Sequence, residues 1–270
     1  MSATKLHLLD LGRLTVDDGF FIRGCGCATR SEPAPQASAR EVAALAAVVE
    51  HPTAGPILFD TGCARDAAEQ WPAPAFEAFP VTTYDESHHL DKALEAAGFG
   101  IGDIQAVVMS HLHLDHAGGL EHFLGTDVPV YVHEQELREQ YYAIATKEDF
   151  GAYVPGDLHW QLNWQAISRD EIELAGGVTL RHMPGHTPGS LTMQVDLDNS
   201  GTFLFTGDLF HVRDLFEQGL PQGWLNRNSQ DWWNSVRWMR HLQKRHDATL
   251  VYGHDATVLT ELKARAEFLD

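Results

Sequence analysis

The chain has 270 residues, 44% of them hydrophobic, and a formal net charge of −19 from 38 acidic against 19 basic residues. A surface this acidic repels phosphate backbones and anionic bilayers, so nucleic-acid and membrane partners are not expected and a small-molecule partner is. No apolar run approaches bilayer-spanning length, and the opening MSATKLHLLDLG lacks the apolar core and small-residue cleavage site of a signal peptide. A cytoplasmic location is therefore expected. The odd cysteine count, Cys25, Cys27 and Cys63, agrees with a reducing compartment because it leaves no complete disulfide framework. The length suits a single domain over residues 1–270, acting as a monomer or homodimer.

In chain order, Lys5–Leu11 predicts a first strand, and the Ala/Pro-rich patch Ser31–Arg40, with Pro33 and Pro35, reads as loop. Glu41–Glu50 is ambiguous: its alanines favour helix, whereas Val42, Val48 and Val49 ahead of a turn favour strand. Pro56–Asp60 is a short apolar strand entered through the Gly55-Pro56 turn and stopped by Thr61-Gly62. Trp71–Pro80, broken by Pro72 and Pro74, reads as loop. Ser87–Gly98 predicts a helix with Ser87 as N-cap and Gly98 as its stop. Ile104–Met109 is a continuous apolar run suited to a strand covered on both faces. Val128–Val132 predicts a strand and Glu134–Tyr142 a helix, while Phe150–Ile167 reads as aromatic-rich and irregular. Strands then follow over Val178–His182, Leu191–Asp196 and Thr202–Thr206, a long amphipathic helix over Ser229–Arg245, and a last strand over Thr249–Tyr252. Many strands are joined by turns alone, which predicts an α+β fold with two central sheets and helices outside.

Four of these apolar strands run into polar residues able to bind metal: VVMSH, TLRHMPGH, FLFTGD and LVYGH. The densest signal is His111-Leu-His113-Leu-Asp115-His116, which sets four potential ligands directly after a strand. Imidazole and carboxylate suit zinc, iron, manganese or cobalt. In extended chain His111 and His113 leave on the same side and can grip one ion. Asp115 and His116, past the turn, can serve a second. Ala117-Gly118-Gly119 then lets the backbone pack closely beneath. His186 stands between two Pro/Gly pairs in MPGHTPGS, Asp208 ends FLFTGD, and His254 follows Gly253. As a set, one carboxylate able to bridge and six other donors divide three and three, which predicts two divalent ions, zinc being the first choice. Cys25-Gly-Cys27 resembles a metal clip but has no second pair nearby.

This pattern of HxHxDH after a strand, then GH, GD and GHD, resembles the metallo-β-lactamase superfamily over nearly the whole chain, from Leu6 to Asp255. The resemblance implies an αβ/βα sandwich with two central mixed sheets flanked by helices. It implies that His111, His113 and His186 hold one ion, that Asp115, His116 and His254 hold the other, and that Asp208 bridges. A hydroxide between the ions would attack a carbonyl. Phe59-Asp60-Thr61-Gly62 resembles the family's DTG turn, which gives Asp60 a supporting role and tilts Glu41–Glu50 toward strand.

Within the superfamily the chain is similar to the N-acyl-homoserine lactone lactonase and pyridoxolactonase-like group, through SHLHLDHAGG, PGHTPGS, TGD and YGHD. That group implies a metal-dependent, quorum-quenching hydrolase that opens a lactone. Hydrolysis of a cyclic amide or lactam, or of a phosphoester, is open on the same metals, as are an iron redox enzyme of the persulfide dioxygenase type and a non-enzymatic metal-binding protein. One departure stands out: many lactonases carry Tyr three residues after the bridging Asp, and this chain carries His211. His211 is expected to orient substrate or protonate the leaving group, and with Asp115 it forms the candidate catalytic pair. Phe210 and Trp164, near the metal turns, are the aromatic candidates for substrate contact.

Overall fold

A computed structural model of the chain describes residues 3–149 and 151–270. Two mixed sheets form its centre. The first holds β1 (Lys5–Asp17), β2 (Ala39–His51), β3 (Gly55–Phe59), β4 (Val81–Thr83), β5 (Ala106–Val108), β6 (Pro129–His133) and β7 (Asn163–Ile167), in the order β4-β1-β2-β3-β5-β6-β7. The second holds β8 (Glu171–Ala175), β9 (Val178–His182), β10 (Leu191–Leu197), β11 (Gly201–Phe205) and β12 (Thr249–Val251), in the order β12-β11-β10-β9-β8. Antiparallel pairing dominates up to β3, and β3, β5, β6 and β7 then run parallel. In the second sheet only β11 and β12 are parallel. The two sheets meet through apolar faces, with Phe59 of β3 and Phe205 of β11 in ring contact at 5.5 Å. Burial of such faces is the main favourable term in holding the layers together. Helices Glu134–Thr146, Ser229–His246 and Ala256–Lys263 lie outside.

Several local expectations hold and several are corrected. Glu41–Glu50 is strand, the inner part of β2, and Val42 to Val49 are all buried there. With both faces covered, alanine serves as small strand packing, and propensity yields to context. The first strand runs on to Asp17: Gly12, at φ 101, takes up a register shift between Asp10 and Arg13 that lets pairing with β2 resume. The helix expected over Ser87–Gly98 is a 3-10 turn at Glu86–His88 followed by Leu90–Ala96, and Asp85, not Ser87, caps the first piece through the Ser87 N–H at 2.9 Å. Trp71–Pro80 contains a short helix, Ala73–Ala78, because Pro72 and Pro74 stand at its start, where a missing N–H does no harm. Within the stretch expected to be irregular, Phe150 lies outside the described residues, and Asn163–Ile167 is edge strand β7, ordered by pairing with β6. β8 and the helix Ala256–Lys263 were not expected. Among the described residues, no helix is long and apolar enough to cross a membrane.

One buried acid is left without compensation. Asp157 is 3% exposed, and its Oδ2 has no hydrogen-bond partner. Burial, then the charge of Glu121, pushes its carboxyl up to about 7. The native state therefore keeps a proton that the unfolded chain loses above its ordinary value near 3.8. The sign follows: this group's contribution to stability falls as pH rises from about 4 to about 7 and is flat above. Asp157→Asn is expected to gain over the wild type by roughly 2–3 kcal/mol more at pH 8 than at pH 5. Urea unfolding at the two pH values measures this, and a pH-independent gap between the proteins would contradict it.

Candidate metal centre

All seven sequence-predicted ligands gather at one edge of the two sheets, each from a strand end or the turn after it. Past β5, Met109 N–H still donates to the Tyr131 carbonyl at 2.9 Å, and the chain then leaves the sheet with His111, His113, Asp115 and His116. The loop turns where His116 N–H and Ala117 N–H both donate to the His113 carbonyl at 3.0 Å. Only glycine fits next, because a Cβ on Gly118 would lie 1.9 Å from the Ala64 nitrogen. Thr61, from the turn after β3, holds the loop by donating to the His116 carbonyl through N–H at 2.9 Å and Oγ1 at 2.6 Å.

Asp60, at φ 58, supports the same loop as expected. It accepts from Ser110 N–H and Ser110 Oγ–H, each at 2.7 Å, and faces His116 Nδ1 at 2.9 Å. His186 lies in the turn between β9 and β10, closed by Met183 N–H to the Ser190 carbonyl at 2.8 Å. Asp208 lies in the 3-10 turn after β11, and His254 follows β12. Gly253 between them is obligatory in a specific sense: a Cβ there would lie 2.5 Å from Asp208 Oδ1.

The inward atoms fall into two groups around Asp208. On one side His186 Nε2 lies 3.0 Å from His113 Nδ1, and Asp208 Oδ2 lies 3.4 Å from His186 Nε2 and 3.8 Å from His111 Nε2. On the other, Asp208 Oδ1 lies 3.3 Å from His116 Nε2 and 3.1 Å from His254 Nε2, with Asp115 Oδ2 3.5 Å from His254 Nε2. Ligand atoms of His111, His113 and His186 lie within 4.8 Å of one another, and so do those of Asp115, His116 and His254. Three outer ring nitrogens are held from behind: His111 Nδ1 by Ser110 Oγ at 2.9 Å, His116 Nδ1 by Asp60, and His254 Nδ1 by the Ala43 carbonyl at 2.8 Å. Such partners fix ring orientation in metal sites.

These residues fit divalent cations on their own observations. His111 Nε2, His116 Nε2 and Asp208 Oδ1 are buried with no hydrogen-bond partner, a costly state that an ion would relieve. Burial first, then neighbouring imidazoles, holds His111 and His113 well below the ordinary histidine value and His186 down to about 3, so their lone pairs stay free. His116 and His254 go the other way: burial lowers them, but Asp208 and then Asp115 outweigh it. Asp208 is itself held well below the usual range, its burial overcome by His254, His116, His211 and His186.

His211 is fully buried, its ring stacked on Phe21 at 4.2 Å and its Nε2 3.3 Å from Asp208 Oδ2. Gln222, not anticipated, donates to the Asp208 carbonyl at 2.6 Å and lies 3.2 Å from His211 Nδ1. Asp149 and Arg227, which are paired, were likewise missed, and Asp149 Oδ2 lies 3.8 Å from His113 Nε2. No spacing in the sequence marks Gln222, Asp149 or Arg227. His113, Asp115, His186, Asp208 and His254 floor a narrow cleft whose walls include Leu14, Val16, Phe21, Phe79 and Leu225. Neither aromatic expected to touch substrate lines it. Phe210 is core, packed on Phe216 and Trp232, and Trp164 sits on β7 with its Nε1–H donating to the His159 carbonyl.

A sandwich of two mixed sheets with this ligand cluster at its edge defines a class, and the family model of the metallo-beta-lactamase superfamily matches residues 39–254. The chain belongs to that superfamily. Among curated proteins it is similar to the N-acyl homoserine lactonase AiiB of Agrobacterium fabrum, 29% identical over 93% of each chain. It is also similar to AttM of the same organism, another N-acyl homoserine lactonase, 33% identical over 82% of this chain and 85% of AttM. Among solved structures, Bacillus thuringiensis AiiA with N-decanoyl-L-homoserine bound at the active site matches with TM-score 0.79 at 23% identity, covering 98% of this chain and 97% of that one. The fold is that of those neighbours.

Because Gly253 has Asp208 Oδ1 against it, Gly253→Ala is expected to push the carboxylate aside. Metal content of the dialysed protein, read by elemental analysis, should then fall below that of the wild type, and equal content would show that the close approach is dispensable.

Proposed function

We propose that this chain is, as one domain over residues 1–270, a dinuclear-metal hydrolase that opens a lactone ring, an N-acyl-homoserine lactone or a close analogue. One observation carries the reading: Asp208 turns its two oxygens toward two separate groups of imidazoles at the floor of an apolar cavity. The curated lactonases to which the chain is similar support it. His111, His113 and His186 would hold one ion, Asp115, His116 and His254 the other, and Asp208 both, with zinc favoured by a donor set of imidazole and carboxylate. Bound there, two cations supply Lewis-acid polarisation of a carbonyl and a water acidic enough to act near neutral pH.

The chain's own groups do the rest. Asp115 is the more open carboxylate of the set, its side chain 17% exposed against 5% for Asp208, and it lines the cavity. That places it to accept a proton as the carbonyl is attacked. His211, fully buried under Phe21 and absent from the cleft lining, is not placed to protonate the leaving alkoxide itself; it is assigned to orienting substrate through Asp208, which its Nε2 faces at 3.3 Å. The walls of Leu14, Val16, Phe21, Phe79 and Leu225 suit an acyl chain and keep water out. Among the described residues lining the cleft there is no Lys or Arg, which favours a neutral ester over a phosphate anion. A cytoplasmic setting accords with the three free cysteines.

A pH-stat assay of short- and long-chain homoserine lactones beside a lactam and a phosphotriester tests this. Lactone turnover is expected, lost on chelation and restored by zinc. No lactone turnover by metal-replete protein would overturn the proposal. His211→Ala is expected to lower turnover by about 10²-fold with metal content intact, and full turnover in that variant would remove the assigned role.

A further inference from the structure

A buried carboxylate outside the ligand set has no use in the mechanism above. Glu136, in the first turn of the helix Glu134–Thr146, has no exposed surface, and four donors converge on it. Its Oε1 accepts from Leu112 N–H at 3.0 Å and from Tyr153 O–H at 2.9 Å. Its Oε2 accepts from Thr187 Oγ1–H at 2.6 Å and from Gly189 N–H at 3.1 Å.

Three of these donors, Leu112, Thr187 and Gly189, come from the two loops that supply the three histidines proposed for the first ion. Leu112 stands between His111 and His113, and Thr187 follows His186. Tyr153 adds a third hold, because its ring packs edge-on against His113 at 4.7 Å. There is little slack, since a Cβ on Gly189 would lie 2.2 Å from the Glu136 nitrogen. A carboxylate out of water is costly unless its oxygens are answered, and here each oxygen takes two donors. A fold that needed only filled space here would be served by an apolar side chain. Three donors on two loops far apart in sequence, with Tyr153 as a fourth from a separate segment, instead fix the distance between the loops.

We propose that Glu136 is a positioning residue that sets the spacing of His111 and His113 against His186, and so governs affinity at the first ion's group alone. Of the second group, His116 has its own hold in Asp60, which faces its Nδ1 at 2.9 Å, and His254 has one in the Ala43 carbonyl at 2.8 Å, neither of which involves Glu136. The inference rests on the dinuclear reading.

The test uses the full chain, stripped of metal and titrated with cobalt(II) and zinc, following the cobalt absorption bands and the bound equivalents. In Glu136→Gln an amide N–H must face at least one backbone donor, which opens the brace. First-group affinity is expected to fall about tenfold to a hundredfold. Second-group affinity and its cobalt spectrum should be unchanged, and the stripped protein should keep the wild-type circular dichroism. Thr187→Val, which removes one donor and leaves the charge, should give a smaller loss at the same group, and it carries the test if Glu136→Gln does not fold. Wild-type affinities at both groups, or equal losses at both, would overturn the proposal. The wild-type titration is read first: failure to bind two ions there would overturn the dinuclear reading itself.

Discussion

The carboxylate of Asp208 lies 3.1 to 3.4 Å from imidazole nitrogens of His116, His186, His211 and His254, almost out of contact with water. A lone ion in such a place would be expensive, and it is tolerated because so many nitrogens answer it. That requirement reaches into the backbone. Gly253 is needed so that the carboxylate can lie on the main chain, and Gln222 is buried to hold the Asp208 carbonyl. The split in imidazole behaviour has the same source. His116 and His254, which face both Asp208 and Asp115, are held toward the protonated form, while burial keeps His111, His113, His186 and His211 toward the neutral one.

Around this centre the sheets act as a frame with two braces. Asp60, in the turn after β3, ties Ser110 and His116. Glu136, on the helix after β6, ties Leu112, Thr187 and Gly189. Each brace is a buried acid whose oxygens are filled by backbone and hydroxyl donors, so the loops that bear the histidines are held by strong, directional bonds. Preorganisation of this kind lets a metal site keep its geometry without spending binding energy on ordering loops.

The cavity above the centre is walled by β1, β2 and the segments bearing Phe21, Phe79 and Leu225, which come from distant parts of the chain. Its apolar walls over a charged floor separate the two tasks of the proposed reaction, grip of a greasy substituent and attack on a carbonyl. His211 lies beneath that cavity, covered by Phe21, so its influence on substrate passes through the edge it shares with Asp208.

The gathering of His111, His113, Asp115 and His116 was legible, because a strand followed by HxHxDH forces four candidate donors into one small volume whatever the rest of the chain does. His186, Asp208 and His254 were legible as a set, each placed after an apolar strand where the chain leaves the sheet. Long apolar runs such as Ile104–Met109 and the periodic helix Ser229–Arg245 also declared themselves, because burial pattern is a local property of sequence. The sequence alone left Glu41–Glu50 undecided, since alanine suits either structure until a second sheet covers both faces. It passed over β7 and β8, whose order comes from pairing with β6 and β9. It also misplaced Phe210 and Trp164, near the metals in sequence but turned into the core or along the edge. Glu136, Gln222 and Asp149 carry no signature at all, because a buried brace is defined by which distant donors meet it. The sequence determined which atoms can hold metal; only tertiary structure, by closing two sheets over one buried carboxylate, decided which side chains hold those atoms in place.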